Sequence, residues 1–322
     1  MKSGRLAQEL IGPIVATTIV AALVALTTPR FLDPGNLGNL ALQVSITALV
    51  AIGSTIVIFA GGIDLSPGSA IALLTMVFAF MVKMAGVPFP LGILATLLLG
   101  CALGAINGAV TAYARIPSFI TTLAALSAFK GLAFTLNNGS PVFQVSPLLE
   151  GLFYGRLLGV PLPLAYVVLF FAAASYLMRH TRLGRSVYAV GGNPRAAHLS
   201  GIDVRRTQFL TFTIAGFMTA VGAILMAARL NSGSPNYGAG LELQAIAAAV
   251  IGGASLAGGR GHVVATLFGA LTITIVQNGL NLNAVPTSLQ SIVIGAIILV
   301  AVGIDMWRPE LGRLLTRKDK PV

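Results

Sequence analysis

Apolar residues in this chain come in long unbroken blocks, separated by short stretches of glycine, proline and charge. A helix needs roughly 20 mostly apolar residues to cross about 30 Å of hydrocarbon. Ten blocks approach that length: 12–28, 40–60, 65–84, 90–114, 118–136, 162–178, 207–228, 243–257, 263–280 and 287–306. A transmembrane barrel would alternate apolar and polar positions instead. The pattern therefore predicts an all-α polytopic membrane protein of about ten helices, organised as a single transmembrane domain over 1–322. Two blocks fit less well. The 118–136 block carries Lys130, and 243–257 is short and rich in alanine and glycine, so either could re-enter rather than span. The basic segment 1–10 is followed by no small-residue cleavage site, so 12–28 reads as a retained first helix.

Composition agrees. Of 322 residues, 56% are hydrophobic and 9% charged, against about 25% charged in soluble domains. That excludes an ordinary soluble enzyme or nucleic-acid-binding domain despite a formal net charge of +11. The charge is a topology signal. With ten spans, most basic residues fall on the side that holds both termini and the 179–206 loop. Only Arg30, Lys83, Arg156 and Arg229 fall opposite, with Lys130 inside a span. The positive-inside bias puts both termini and that loop in the cytoplasm, and no nucleic acid need be invoked. The single cysteine, Cys101, excludes an intrachain disulfide and two-cysteine metal or redox motifs.

Glycine is frequent, at 37 residues. Gly100, Gly104 and Gly108 recur every four residues and predict a close helix–helix approach. The segments 61–68 and 252–259 share a GG-x-x-L-x-x-G frame, each after a span running inward and before one running outward. Duplicated halves with glycine-interrupted spans are common in transporters, so a weak internal repeat is expected.

The 179–206 loop carries its own helix signals. Asn193 suits an N-cap and Pro194 the first helical position. Gly201 suits the left-handed position after the last turn, with Ile202 folding back on it. The resulting helix, 194–200, is too short to be stable alone in water, and Ala196 and Leu199 give it a small apolar face flanked by Arg195 and His198. Two readings stand: an element that docks in a partner's groove, or one lying against headgroups or its own bundle.

Four segments carry a resemblance to a known family: AIGSTIVIFAGGIDLSPGS (51–69), IPSFITTLAALSAFKGLAFTLNNGSPV (116–142), GRSVYAVGGNPRAAHLSGID (184–203) and ELQAIAAAVIGGASLAGGRG (242–261). The chain resembles a permease subunit of the ribose-type monosaccharide ABC importers over most of its length. The resemblance implies a type II importer fold in the bacterial inner membrane. It also implies a second permease subunit (an identical chain or a close paralogue), separate ABC ATPase subunits that use ATP and Mg, and a periplasmic or lipoprotein sugar-binding protein. The loop helix would then be the coupling helix, with Gly192, Asn193, Pro194, Arg195, Ala196, Ala197, His198, Leu199 and Gly201 as its contact set. Arg195 stands where the family usually carries an acidic residue.

No G-x-x-x-x-G-K-[ST] run occurs, so nucleotide phosphates must be held by a partner. Neither a catalytic set nor a metal-ligand cluster is found, and no cofactor is expected on this chain. For Asp64, a fixed anion at the inner gate answering Lys130 competes with a cap at the next helix start. Lys130 is costly at depth unless it snorkels or pairs. Asn107, Gln277 and Asn278, with Gln43, Thr121, Thr122, Gln244 and Gln290, either meet a neutral sugar along the path or hydrogen-bond between helices. Arg30, Arg156 and Arg229 are either docking points for the binding protein or interfacial anchors. The alternative class is a self-contained channel or ion-coupled carrier with 179–206 as a regulatory cytoplasmic loop.

Overall fold

The computed structural model describes residues 3–316, so Lys2, Arg317, Lys318 and Lys320, expected on the basic side, lie outside the described residues. The chain runs through α1 (Ser3–Thr27), α2 (Pro34–Phe59), α3 (Pro67–Ala79, prolonged by a π turn over Phe80–Met84), α4 (Phe89–Ala112) and α5 (Ser118–Thr135). A connection with strand β1 (Val142–Phe143), helix α6 (Leu148–Tyr154) and the hairpin β2 (Arg156–Leu157) and β3 (Val160–Pro161) leads to α7 (Leu162–His180). Then come α8 (Arg182–Gly192), α9 (Pro194–Leu199), α10 (Val204–Leu230), strand β4 (Ser232–Gly233), α11 (Leu241–Ile251), α12 (Val263–Leu282) and α13 (Thr287–Thr316).

Helix starts follow local chemistry. Proline occupies the first turn of α2, α3, α4, α7 and α9, where its fixed φ suits the helix and its missing N–H costs nothing. Among the described residues, eight helices are long and apolar enough to cross a membrane, and two shorter apolar ones, Leu241–Ile251 and Thr287–Gly303, complete the set. The 118–136 block forms a full helix, α5. The 243–257 block does not span. It is α11, about 16 Å long at 1.5 Å per residue, because Gly252 and Gly253 end it.

α2 and α10 form the centre. α2 is buried almost continuously from Val44 to Phe59 and packs on α7, α8, α10, α11 and α12. α4 lies tightly on α10 through the expected glycine row: a Cβ on Gly104 would come within 3.0 Å of the Gly216 backbone, and one on Gly108 within 2.8 Å of the Phe209 carbonyl. Backbones that approach this closely gain dispersion energy without any help from water. Leu26, Leu98, Val168 and Leu299, on α1, α4, α7 and α13, are exposed on the periphery, as side chains that contact lipid should be.

Candidate coupling junction and translocation path

The 179–206 connection folds as two helices rather than one. α8 was missed, although Leu183, Val187 and Val190 recur at helical spacing; the two valines are buried, and the Thr181 hydroxyl caps the start by accepting from Gly184 N–H at 3.2 Å. α9 follows the expected signals closely. Asn193 Oδ1 accepts from Ala196 N–H at 2.9 Å, Gly201 has φ +82°, and Ile202 N–H donates back to the Ala197 carbonyl at 3.0 Å. Ala197 is the anchor, 4% exposed, whereas Ala196, His198 and Leu199 face outward, Leu199 at 82%. A two-turn helix held by one alanine leaves an apolar tip free.

At the joint between α8 and α9, three glycine segments meet. Gly191 lies against the end of α2 and the 252–262 loop: an added Cβ would collide with the Phe59 carbonyl oxygen and come within 2.6 Å of Gly259 N. Those two groups are hydrogen-bonded to each other at 3.0 Å. Gly258 packs on the Gly191 carbonyl and on Gly61, and Gly259 on Gly192. The Tyr188 hydroxyl donates to the Gly261 carbonyl at 3.0 Å, and its ring stacks on Phe59 at 5.1 Å. Both loops of the suspected repeat are thus fastened to the root of α9. None of Phe59, Tyr188, Gly191 or Gly258–Gly261 was singled out as a site residue from the sequence, because glycine in a glycine-rich chain gives no signal of what it touches. His262, 6% exposed, accepts from Val264 N–H through Nδ1 at 3.1 Å. Burial, with the Arg179 charge second, lowers its pKa to about 4. It is a neutral cap on α12.

Beside α9 a cleft of about 750 Å³ is lined by Arg115, His198, Asp203, Arg205 and Gln208. An adjoining one of about 330 Å³ reaches Gly62, Thr111 and Ser118. This end of the bundle is therefore basic and open.

The residues expected along the path separate into groups. Asp64 accepts from Ser66 N–H at 2.9 Å and Ser66 Oγ at 2.7 Å, and Asn107 Nδ2 donates to the same Ser66 oxygen at 2.9 Å. That is a buried turn just before α3 and not the expected helix cap, since Ser66, the residue at the cap position, makes no side-chain capping bond. Asn278 and Asn36 exchange two amide hydrogen bonds of 2.9 and 2.8 Å, tying α12 to α2; Gln277, beside it, is half-buried. Lys130 does not meet Asp64 but finds other partners. Its ammonium donates to the Pro235 carbonyl at 2.8 Å and lies 5.3 Å from the Phe134 ring centre. Arg30, Arg156 and Arg229 lie at the end opposite α9; the first two are exposed and Arg229 is half-buried. The structure does not gather them with any path residue.

Pro235 belongs to a segment whose sequence reads as a surface loop. Instead, 231–240 runs back into the bundle alongside α3. Gly233 lies against Thr75 and Ala79, pairing with Val142 of β1; Gly238 lies against Ile71 and Gly68, and Ser232 through Pro235 are buried. Irregular backbone at this depth is tolerated only inside protein or beside water. α11 then starts inside the bundle, with the Glu242 carboxylate filling the space beside Gly68 at the start of α3. Two broken helices thus begin next to one another around a carboxylate that the Lys130 charge also reaches.

The fold is that of an all-α polytopic membrane permease. A family model described as "Branched-chain amino acid transport system / permease component" matches residues 36–302, and the chain belongs to that family. It is 42% identical over 296 residues to the ribose import permease protein of Escherichia coli (strain K12), covering 91% of this chain and 92% of that one. The ribose import permease protein of Bacillus subtilis (strain 168) is 40% identical over 297 residues, with 92% of each covered. The xylose transport system permease protein of E. coli (strain K12) is 36% identical, covering 89% and 90%. No solved structure matches the chain.

Proposed function

We propose that this chain is the membrane-spanning permease subunit of a binding-protein-dependent ABC importer for a pentose or hexose, driven through α9 by separate ATPase subunits. The observation that carries the reading is mechanical: α9 presents an exposed tip while its root is fastened to both glycine loops. A partner that seats the tip in a groove and then moves as it binds ATP would shift Gly191, and with it the end of α2 and the 252–262 loop together. The relatives named for ribose and xylose supply the substrate class. The basic residues clustered at the α9 end, Arg115, Arg179, Arg182, Arg185, Arg205, Arg206 and Arg260 among them, orient that end toward the cytoplasm. The exposed Arg30 and Arg156 opposite would meet carboxylates of a binding protein, where charge sets encounter rate more than affinity.

The test uses the assembled importer in vesicles. Leu199→Asp places a charge on the exposed tip, so it should abolish ATP-dependent uptake and co-purification of the ATPase while the chain still inserts. A Leu199→Cys chain should react with an impermeant thiol reagent only from the ATPase side. Concentrative uptake by the purified chain without ATP would overturn the proposal in favour of a self-powered carrier.

A further inference from the structure

The two clefts beside α9 share a wall of Thr111, Arg115 and Gln208 and differ in what completes them. The outer cleft, about 750 Å³, adds His198, Arg205 and the Gly201–Asp203 link between α9 and α10. Its one carboxylate, Asp203, is engaged as the cap of α10, accepting from Arg206 N–H at 2.9 Å. The Arg115 and Arg205 side chains are exposed and have no hydrogen-bond or ion-pair partner among the described residues. The inner cleft, about 330 Å³, adds no further charge; Ser118, Thr211 and the Gly61–Gly62 end of α2 complete it. On the shared wall the Gln208 amide makes no hydrogen bond among the described residues, and the buried Thr111 hydroxyl is also unpaired. The pair thus has a cationic end and an uncharged, hydrogen-bonding end, in volumes typical of small-molecule sites. A second observation is independent of the first. Arg115 holds φ +60°, a left-handed backbone that is unusual for a long side chain. Strain of this kind persists where the position of the residue is used.

We propose that this double cleft is an inhibitory site for a sugar phosphate. Arg115 and Arg205 bind the phosphate, which guanidinium groups match with paired N–H donors. Gln208 and Ser118 meet the hydroxyls of the sugar. The walls belong to parts that must move. Ser118 Oγ accepts from Ile63 N–H at 3.0 Å, holding the first glycine loop to the start of α5, while Gly201–Asp203 carries α9. A ligand that spans both walls favours the arrangement it binds and opposes the stroke of α9. The class of reaction that supplies it is phosphorylation of the sugar after entry, so the product slows further import. That brake rests on the proposed function; the binding site does not. A phospholipid headgroup offers the same chemistry, phosphate beside hydroxyls, and the test separates the two sources.

The full importer in phosphatidylcholine nanodiscs is titrated with ribose 5-phosphate, ribose and inorganic phosphate. Ribose 5-phosphate should bind at least tenfold more tightly than either fragment. Arg115→Gly should weaken it by about tenfold, the loss of one hydrogen bond between charged groups. Glycine adopts φ +60° without strain, so this variant should melt no lower than the parent, which separates lost binding from lost folding. In proteoliposomes, ribose 5-phosphate enclosed with ATP should lower uptake several-fold in the parent and leave that of Arg115→Gly unaltered. Parental affinity in both Arg115→Gly and Arg205→Gln, or ribose 5-phosphate binding no tighter than inorganic phosphate, overturns the site. If ribose 5-phosphate does not bind, and phosphatidylglycerol raises the melting temperature of the parent but not of Arg115→Gly, the occupant is a headgroup and the proposal falls. Binding without any effect on uptake overturns the brake. The titrations need neither ATP nor transport, so they still decide the site if Leu199→Asp leaves uptake intact and the coupling reading fails.

Discussion

Gly191 and Gly192 are adjacent in sequence, both in the last turn of α8, and the structure assigns them opposite tolerances. A methyl group added at Gly191 lands on the Phe59 carbonyl oxygen and within 2.6 Å of Gly259 N, the two ends of one 3.0 Å hydrogen bond. A methyl at Gly192 meets nothing within 4 Å. At Gly191 the bond must open, which leaves a buried donor and acceptor unpaired at about 1–3 kcal/mol. Backbone must also shift to admit the extra volume, a further ~1–3 kcal/mol. Even the lower ends of the two together, about 2 kcal/mol, change a local equilibrium by more than tenfold. At Gly192 the same substitution removes only glycine's helical penalty, worth about 0.5–1 kcal/mol in the favourable direction.

The measurement is sugar uptake per ATP hydrolysed in proteoliposomes, alongside the melting temperature of the detergent-solubilised importer. Gly191→Ala should melt lower and lose coupling, hydrolysing ATP with little uptake because α9 can move without dragging the two loops. Gly192→Ala should match the parent in both. If the two variants behave alike, the fastening of α9 to the glycine loops is not what transmits the stroke, and the mechanism argued from it fails.

Other consequences are simpler. Asn193→Ala removes the side-chain cap of α9 and should cost about 1 kcal/mol, read as faster hydrogen exchange confined to 194–201. His262 is held at a pKa of about 4 by burial, below the ordinary value near 6.5. Between those limits the unfolded chain binds the extra proton, so this contribution is complete above pH 6.5 and is lost as pH falls toward 4. Thermal melts across that range should show the decline, and His262→Gln should flatten it. Gly216→Val collides with the Gly100 carbonyl and with Gly104, whose Cα lies 2.8 Å from the site of a Cβ. Overpacking between two helix backbones should abolish folded protein in membranes, while Gly35→Ala, open on all sides, should express normally.

What the sequence made legible was whatever depends on neighbours in the chain. The blocks gave the spans because hydropathy is local, and Asn193, Pro194, Gly201 and Ile202 gave α9 because a cap closes within a few residues. The re-entrant path of 231–240 was hidden for the opposite reason. SGSPNYGAG has the composition of a surface loop, and its burial depends on partners far away: Thr75 and Gly68 on α3, Lys130 on α5 and Val142 on β1. Glu242 went unmarked because a carboxylate at a helix start reads as a dipole partner. Only the approach of Gly68 from another helix makes its position unusual. The path candidates split on the same principle. Asn278 reads equally well as a ligand contact or a helix clamp until Asn36 is seen across from it.

The two glycine loops are alike in structure even where the sequence frame misaligns them. α2 ends with Gly61 at φ +79° and Gly62 N–H donating to the Val57 carbonyl, five residues back. α11 ends with Gly253 at φ +86° and Ala254 N–H donating to the Ala249 carbonyl, also five back. Each is a left-handed glycine cap of one kind, but Gly61 corresponds to Gly253, one residue off the register that GG-x-x-L-x-x-G suggests. From these equivalent caps the chain departs by different lengths, reaching α3 after 62–66 and α12 after 254–262. The longer second loop brings Gly258 and Gly259 onto Gly191, while the shorter first loop meets Gly191 directly through the end of α2. A repeat with equal loops would leave one half out of reach of α9. Unequal loops let a single short helix hold both halves, so a push at one point moves both broken spans at once.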